Sequence, residues 1–313
     1  MYLNFSSFNK AKSITIVSVI EDRDYFLWQQ EVQCYHMAEN YSHLNYEVII
    51  LREKDEPSDW SKHISKTSNT SLYRLTEDEI NSFKPYKCSY KPYGLYLRNS
   101  DSSKNVLENI FAIDSDVILN RDLDYAFLLE DDKWLYSNCE SYLGYKYLSS
   151  KLSEAQILEM VNIVGADINM IKKKSSAGGA QYLYKKPTVE FFKKTSHDSI
   201  KLYEKLKQYQ AEGSDVQIHT AEMWSQPWNS YLCAEVAVSE KLDFAWATDN
   251  IKEMANKPIT HFAGSPTEGS FRKTEHVNPF AADLSNITIK ENCAYHWKTL
   301  IEKYKHKCFS NKI

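Results

Sequence analysis

Short, dense apolar runs in this chain alternate with longer stretches whose apolar residues fall three or four apart. Ile14-Thr15-Ile16-Val17-Ser18-Val19-Ile20 is β-branched and of strand length, and Tyr46-Glu47-Val48-Ile49-Ile50-Leu51 repeats the pattern. Between them, Tyr25 to Glu39 carries Phe26, Trp28, Val32 and Tyr35 at helical spacing. Strand, helix, strand at this separation predicts a βαβ unit. Asp55 to Ser71 is polar and reads as a surface loop. Lys91-Pro92-Tyr93-Gly94-Leu95-Tyr96-Leu97 reads as the start of a helix, with proline tolerated in the first turn. Asn109 to Ile113 is the next strand. Leu152 to Ile163 and Val189 to Gln210 are expected helices, and Gln181 to Tyr184 a strand after a glycine turn. Leu232 to Val238 is expected to be helical, and Pro258 to Phe262 a late short strand. The sum is an α/β fold with a mostly parallel central sheet flanked by helices. It forms a single domain over residues 1–285 with a C-terminal helical extension over 286–313.

Composition narrows the function classes. A formal net charge of -4 argues against a uniformly basic nucleic-acid binder and leaves room for a local basic groove. No run of 18 apolar residues occurs, so a membrane-spanning helix is not expected. Met1 to Lys12 lacks the apolar core of a signal peptide. The six cysteines form no CxxC pair and read as free thiols. The expectation is a cytoplasmic protein without membrane contact.

The chemistry concentrates at the end of the third predicted strand, in Phe111-Ala112-Ile113-Asp114-Ser115-Asp116-Val117-Ile118-Leu119. Paired carboxylates at a strand's C-terminal end lie where open α/β sheets bind ligands. Oxygen ligands of this kind suit Mn²⁺ or Mg²⁺, cations that share their shell with substrate phosphates. Asp122-Leu123-Asp124 has the same spacing but follows a polar step, and reads as structural. His261, in Pro258-Ile259-Thr260-His261-Phe262-Ala263-Gly264, is the candidate third ligand.

These two elements resemble those of the metal-dependent GT-A glycosyltransferases. More narrowly, the chain resembles the plant-type peptidyl hydroxyproline O-arabinosyltransferases and peptidyl serine galactosyltransferases. Four further segments carry that resemblance. They are Tyr25-Phe26-Leu27-Trp28-Gln29-Gln30 with Cys34-Tyr35-His36, Lys91-Pro92-Tyr93-Gly94-Leu95, Ala177-Gly178-Gly179-Ala180-Gln181, and Ala221-Glu222-Met223-Trp224. The chain departs from the pattern at Phe262-Ala263, where an aromatic-glycine pair is usual.

The resemblance implies a GT-A, Rossmann-like domain that moves a sugar from a UDP-sugar donor onto a hydroxyl acceptor with retention of configuration. Arabinose or galactose is the favoured sugar. It implies Asp114, Asp116 and His261 as metal ligands and Gln181, Glu222 and Asp116 as catalytic residues. Lys91, Asp114, Ser115, Gly178, Gly179, Gly264 and Lys273 are the expected donor contacts. Trp224 and Trp228, flanking Pro227, offer an aromatic platform for the acceptor, with burial in the core the competing expectation. The acceptor hydroxyl is left open between a glycan, a protein and a modified DNA base such as 5-hydroxymethylcytosine. In the DNA case Lys172-Lys173-Lys174, Lys185-Lys186 and Lys193-Lys194 would line a phosphate groove. A nucleotide-sugar-binding protein without catalysis is the alternative of another class, and two-metal phosphoester chemistry a third.

Overall fold

A computed structural model describes residues 14–173, 178–264 and 266–308. Met1 to Lys12, Lys174 and Ala177, which enter the expectations above, lie outside the described residues. Seven strands form the main sheet: β1 (Ile14–Glu21), β2 (Asn45–Arg52), β3 (Thr70–Arg74), β4 (Asn109–Ile113), β6 (Trp134–Asn138), β7 (Gly178–Lys185) and β8 (Val236–Val238). Their order is β3-β2-β1-β4-β7-β6-β8. β7 alone runs against its neighbours, pairing antiparallel with both β4 and β6. A second, three-stranded sheet has the order β5-β10-β9, from β5 (Val117–Leu119), β9 (Phe244–Trp246) and β10 (Ile259–His261).

Period-two alternation sends the sheet's side chains to two cores. Val17, Ile49, Leu51, Ile110 and Ala112 pack with Tyr90, Tyr93 and Leu95 of the helix Tyr90–Ser100 and with Phe191 and Phe192 of the helix Val189–Ala211. Ile20, Val48 and Ile50 pack instead with Trp28 of the helix Asp24–Asn40 and Trp297 of the C-terminal helix Cys293–Tyr304. With both faces covered, the central strands read as continuous apolar runs, as parallel sheets do.

Three local expectations need correction. Asp55 to Ser71 is not a loop: it holds the helix Asp59–Thr67 and the first residues of β3. Ser58 caps that helix by accepting from the Ser61 N–H at 3.2 Å, and Trp60 and Ile64, four apart, bury its inner face. Leu232 to Val238 is not helical; after a turn, Val236 to Val238 pair in parallel with Trp134 to Tyr136. Gly178 and Gly179 form no turn but open strand β7. A Cβ at Gly178 would stand 2.3 Å from the Tyr136 ring, and one at Gly179 would stand 2.6 Å from Leu143. Close packing, not a left-handed backbone, demands glycine there.

Candidate active site

The acidic triplet occupies the tight reversal between β4 and β5, closed by the Val117 N–H donating to the Asp114 carbonyl at 3.1 Å. Helix Asp24–Asn40 braces this turn from behind. Gln33 donates to the carbonyls of Asp114, at 2.8 Å, and Val117, while His36 and Tyr41 each lie 3.0 Å from the Leu119 carbonyl. The buried Gln33 therefore has a structural use, in a helix that also buries Gln29, Gln30, Glu31 and His36.

Antiparallel pairing of β10 with β5 puts His261 opposite Val117, and the Phe262 N–H donates to the Asp116 carbonyl at 2.9 Å. Strand register thus carries an imidazole from late in the chain to the aspartates. Nε2 of His261 lies 3.3 Å from Asp116 Oδ1 and 3.6 Å from Asp114 Oδ2. One ligand atom from each of the three residues falls within 4.8 Å of the others. Hard carboxylate oxygens with one imidazole nitrogen fit a divalent cation. The far side of the ring is held too. The Gln181 amide nitrogen lies 3.2 Å from Nδ1, and Trp246 stacks at 6.1 Å between ring centroids.

Lysines meet both carboxylates. Lys91 Nζ lies 2.8 Å from Asp114 Oδ1, donates to the Ala180 carbonyl at 3.3 Å, and sits over the Tyr182 ring. Lys273 pairs with Asp116. Burial works to raise the Asp116 carboxyl, but Lys273 and His261 more than offset it and hold it well below the usual carboxylate range. Glu222 behaves oppositely. Burial pushes its carboxyl up to about 7, reinforced by Asp114 and opposed by Lys91. It heads the helix Ala221–Ser230, where its N–H donates to Tyr86 Oη at 3.0 Å and its carboxylate accepts from Gln226.

Asp114, Ser115, Asp116, His261, Lys91, Lys273 and Glu222 line one cleft of about 280 Å³ at the C-terminal end of β1 and β4. Glu21, Lys87 and Tyr90 also border an adjoining recess of about 300 Å³. The remaining expected site residues sit elsewhere. Gln181 is fully buried behind the His261 ring and is not among the residues lining the cleft. Trp224 and Trp228 are 0% and 3% exposed. Trp224 donates to the Leu143 carbonyl at 2.9 Å and stacks on Tyr147, and a buried indole offers no face to an acceptor. Gly178 and Gly179 serve strand packing, and Gly264 takes a left-handed φ of 96° in the loop after β10. Tyr25, Phe26, Ala180, His219 and Met223 also line the cleft. Tyr25, Phe26, Ala180 and Met223 lay inside the resembling segments, whereas His219 did not. Ala180 takes a positive φ of 58°.

The mostly parallel central sheet flanked by helices is the GT-A glycosyltransferase fold, as the likeness to solved structures shows. The bifunctional glycosyltransferase WbbM, in its apo structure, has a TM-score of 0.53 at 11% identity over 96% of this chain. This chain spans about half the length of that one, 52%. An active-site mutant of LgtC has a TM-score of 0.50 at 13% identity, covering 92% of this chain and 95% of its own. At such identities what is shared is the fold. No protein-family profile matches the sequence. No curated protein matches it either.

Proposed function

We propose that the chain is a metal-dependent glycosyltransferase transferring a sugar from a nucleoside diphosphate donor to a hydroxyl acceptor. One observation carries this reading: Asp114, Asp116 and His261 converge in a cleft that Lys91, Lys273 and Glu222 also line. In the transfer, the bond between the anomeric carbon and the diphosphate oxygen breaks and a bond to the acceptor oxygen forms. The acceptor's proton leaves with the diphosphate. Asp114, Asp116 and His261 would hold the divalent cation, which would supply Lewis-acid stabilisation of the departing diphosphate. Lys91 and Lys273 bring positive charge to the same oxygens. Glu222, titrating near neutrality, receives a hydrogen bond from a sugar or acceptor hydroxyl. Gln181 holds the His261 ring in place.

Within that class the donor is a UDP-sugar, UDP-arabinose first and UDP-galactose second, and transfer retains configuration; the support is the ordered set of resembling segments. Of the acceptors, a glycan or protein hydroxyl is favoured over a DNA base. Lys172 pairs with Glu154, Lys185 is buried on Asp131, and Lys194 is bound to Asp198 and Asn229, which removes much of the charge a phosphate groove needs. No helix among the described residues is long and apolar enough to cross a membrane. A binding protein without catalysis would not need two carboxylates and an imidazole set for a metal.

Incubation with a panel of UDP-sugars and Mn²⁺ should release UDP slowly from one or two of them. Chelator, or the substitution Asp116→Asn, should reduce release at least a hundredfold. Proton NMR of the product should show the donor's anomeric configuration. Unchanged turnover in chelator would defeat the metal reading, and an inverted product would defeat retention.

A further inference from the structure

The metal-ligating cluster already contains positive charge, from two separate places in the chain. Lys91 meets Asp114 and Lys273 meets Asp116, so two carboxylates face two ammonium groups, all four within one cleft. The two lysines are held differently. Lys91 is also tied to the Ala180 carbonyl and to the Tyr182 ring. The Lys273 side chain, 17% exposed, reaches in from the short turn Lys273–Glu275 to Asp116. Two residues before it, Phe271 is 2% exposed and packs edge-on to Trp28. The backbone is thus anchored, and Lys273 can leave Asp116 by turning its own side chain.

We infer that Lys273 is an internal counter-ion that keeps the metal position closed until a nucleoside diphosphate arrives, so that cation and diphosphate bind as a coupled pair. This rests on the reading that Asp114, Asp116 and His261 hold a divalent cation. The argument is one of charge. A cation entering alone adds two positive charges to a balanced, partly desolvated cluster and must compete with an ammonium for Asp116. A diphosphate entering alone meets two carboxylates. Entering together, the phosphate oxygens take over Lys273 and Asp116 turns to the metal. Each ligand then raises the affinity of the other by the same factor, and couplings of this kind are typically about 5- to 150-fold.

The test is Mn²⁺ binding to the full chain by calorimetry or electron paramagnetic resonance, with and without saturating UDP. For the unaltered chain, UDP should lower the Mn²⁺ Kd by a factor within that range. Lys273→Met should bind Mn²⁺ alone about tenfold more tightly or better, bind UDP in the presence of Mn²⁺ more weakly, and lose most of the coupling. Lys273→Arg should retain it, and Lys273→Gln gives the same comparison if the methionine variant does not fold. Should Lys273→Met bind Mn²⁺ no more tightly than the unaltered chain, the counter-ion role is overturned. Asp116→Asn separates the two ideas. Lost Mn²⁺ binding there leaves the metal site standing, whereas unchanged binding removes the site and the coupling with it.

Discussion

Glu222 is a buried acid held near neutrality, and this has a measurable cost. Its carboxyl rises from 4.5 to about 7 on folding. Between those values the folded chain keeps a proton that the unfolded chain releases, so stability declines as pH rises through the window. At about 1.4 kcal/mol per pKa unit, the ionised group destabilises the fold by roughly 3 kcal/mol above pH 7. Glu222→Gln retains the acceptor oxygen for Gln226 and removes the charge. Urea unfolding should find this variant more stable than the unaltered chain at pH 8 and nearly equal to it at pH 5. An unchanged difference between those two pH values would show that Glu222 does not titrate as argued. Asp116 has the opposite sign: its depressed carboxyl contributes stability present above the ordinary aspartate range and lost progressively as pH falls from that range toward the depressed value. Low pH should therefore weaken the pairing with Lys273 while relieving Glu222.

Among the elements, β7 shows how a strand can depend on residues without side chains. Gly178→Ala sets a methyl group 2.3 Å from the Tyr136 ring in a fully buried strand and should cost about 1–3 kcal/mol. Gly165→Ala makes a useful contrast. That glycine ends the helix Glu154–Val164 at φ 78° with nothing within 4 Å, so only backbone strain opposes the change, about 1 kcal/mol. Paired urea titrations would compare crowding with strain; trimming Tyr136 to alanine should relieve the first only in part, because Tyr136 Cβ itself stands 2.3 Å from the added methyl. The same elements show what could be read from the chain itself. β1, β2 and β4 were legible because strands covered on both faces are unbroken apolar runs. Asp59–Thr67 was hidden because just Trp60, Ser61 and Ile64 are buried in it, too few to stand out from polar surroundings. Asp114, Asp116 and His261 were legible, since a strand precedes the first pair and a short apolar stretch contains the third. Trp224 was ambiguous, for an indole looks the same in a core as on a platform. Lys273 on Asp116 could not be read as a contact, because the partners stand 157 positions apart and neither flank marks them as partners.

For the whole molecule, the C-terminal helix belongs to the core and not to an appendage. Trp297 is fully buried against Trp28, at 6.0 Å between rings, and against Phe262, at 4.4 Å. Trp297→Ala should cost about 3–5 kcal/mol and lower Tm by several degrees. Because Phe262 follows His261 directly, Mn²⁺ affinity should fall as well, whereas a purely local cavity would leave it unchanged. The pairing of β5 with β10 bears on the time course of folding. β1, β2 and β3 find one another within a short span of chain, but Leu119 must await Ile259. A ribosome adding roughly 5–20 residues per second makes Asp114 many seconds before His261. Over that interval the growing polypeptide has Asp114 and Asp116 but not yet His261. Closing so long a loop is slow, and the small sheet should be the last to gain protection. Pulse-labelled hydrogen exchange during refolding should find amides of β1 and β2 shielded before those of β5 and β10, with capacity for Mn²⁺ appearing only in the final phase.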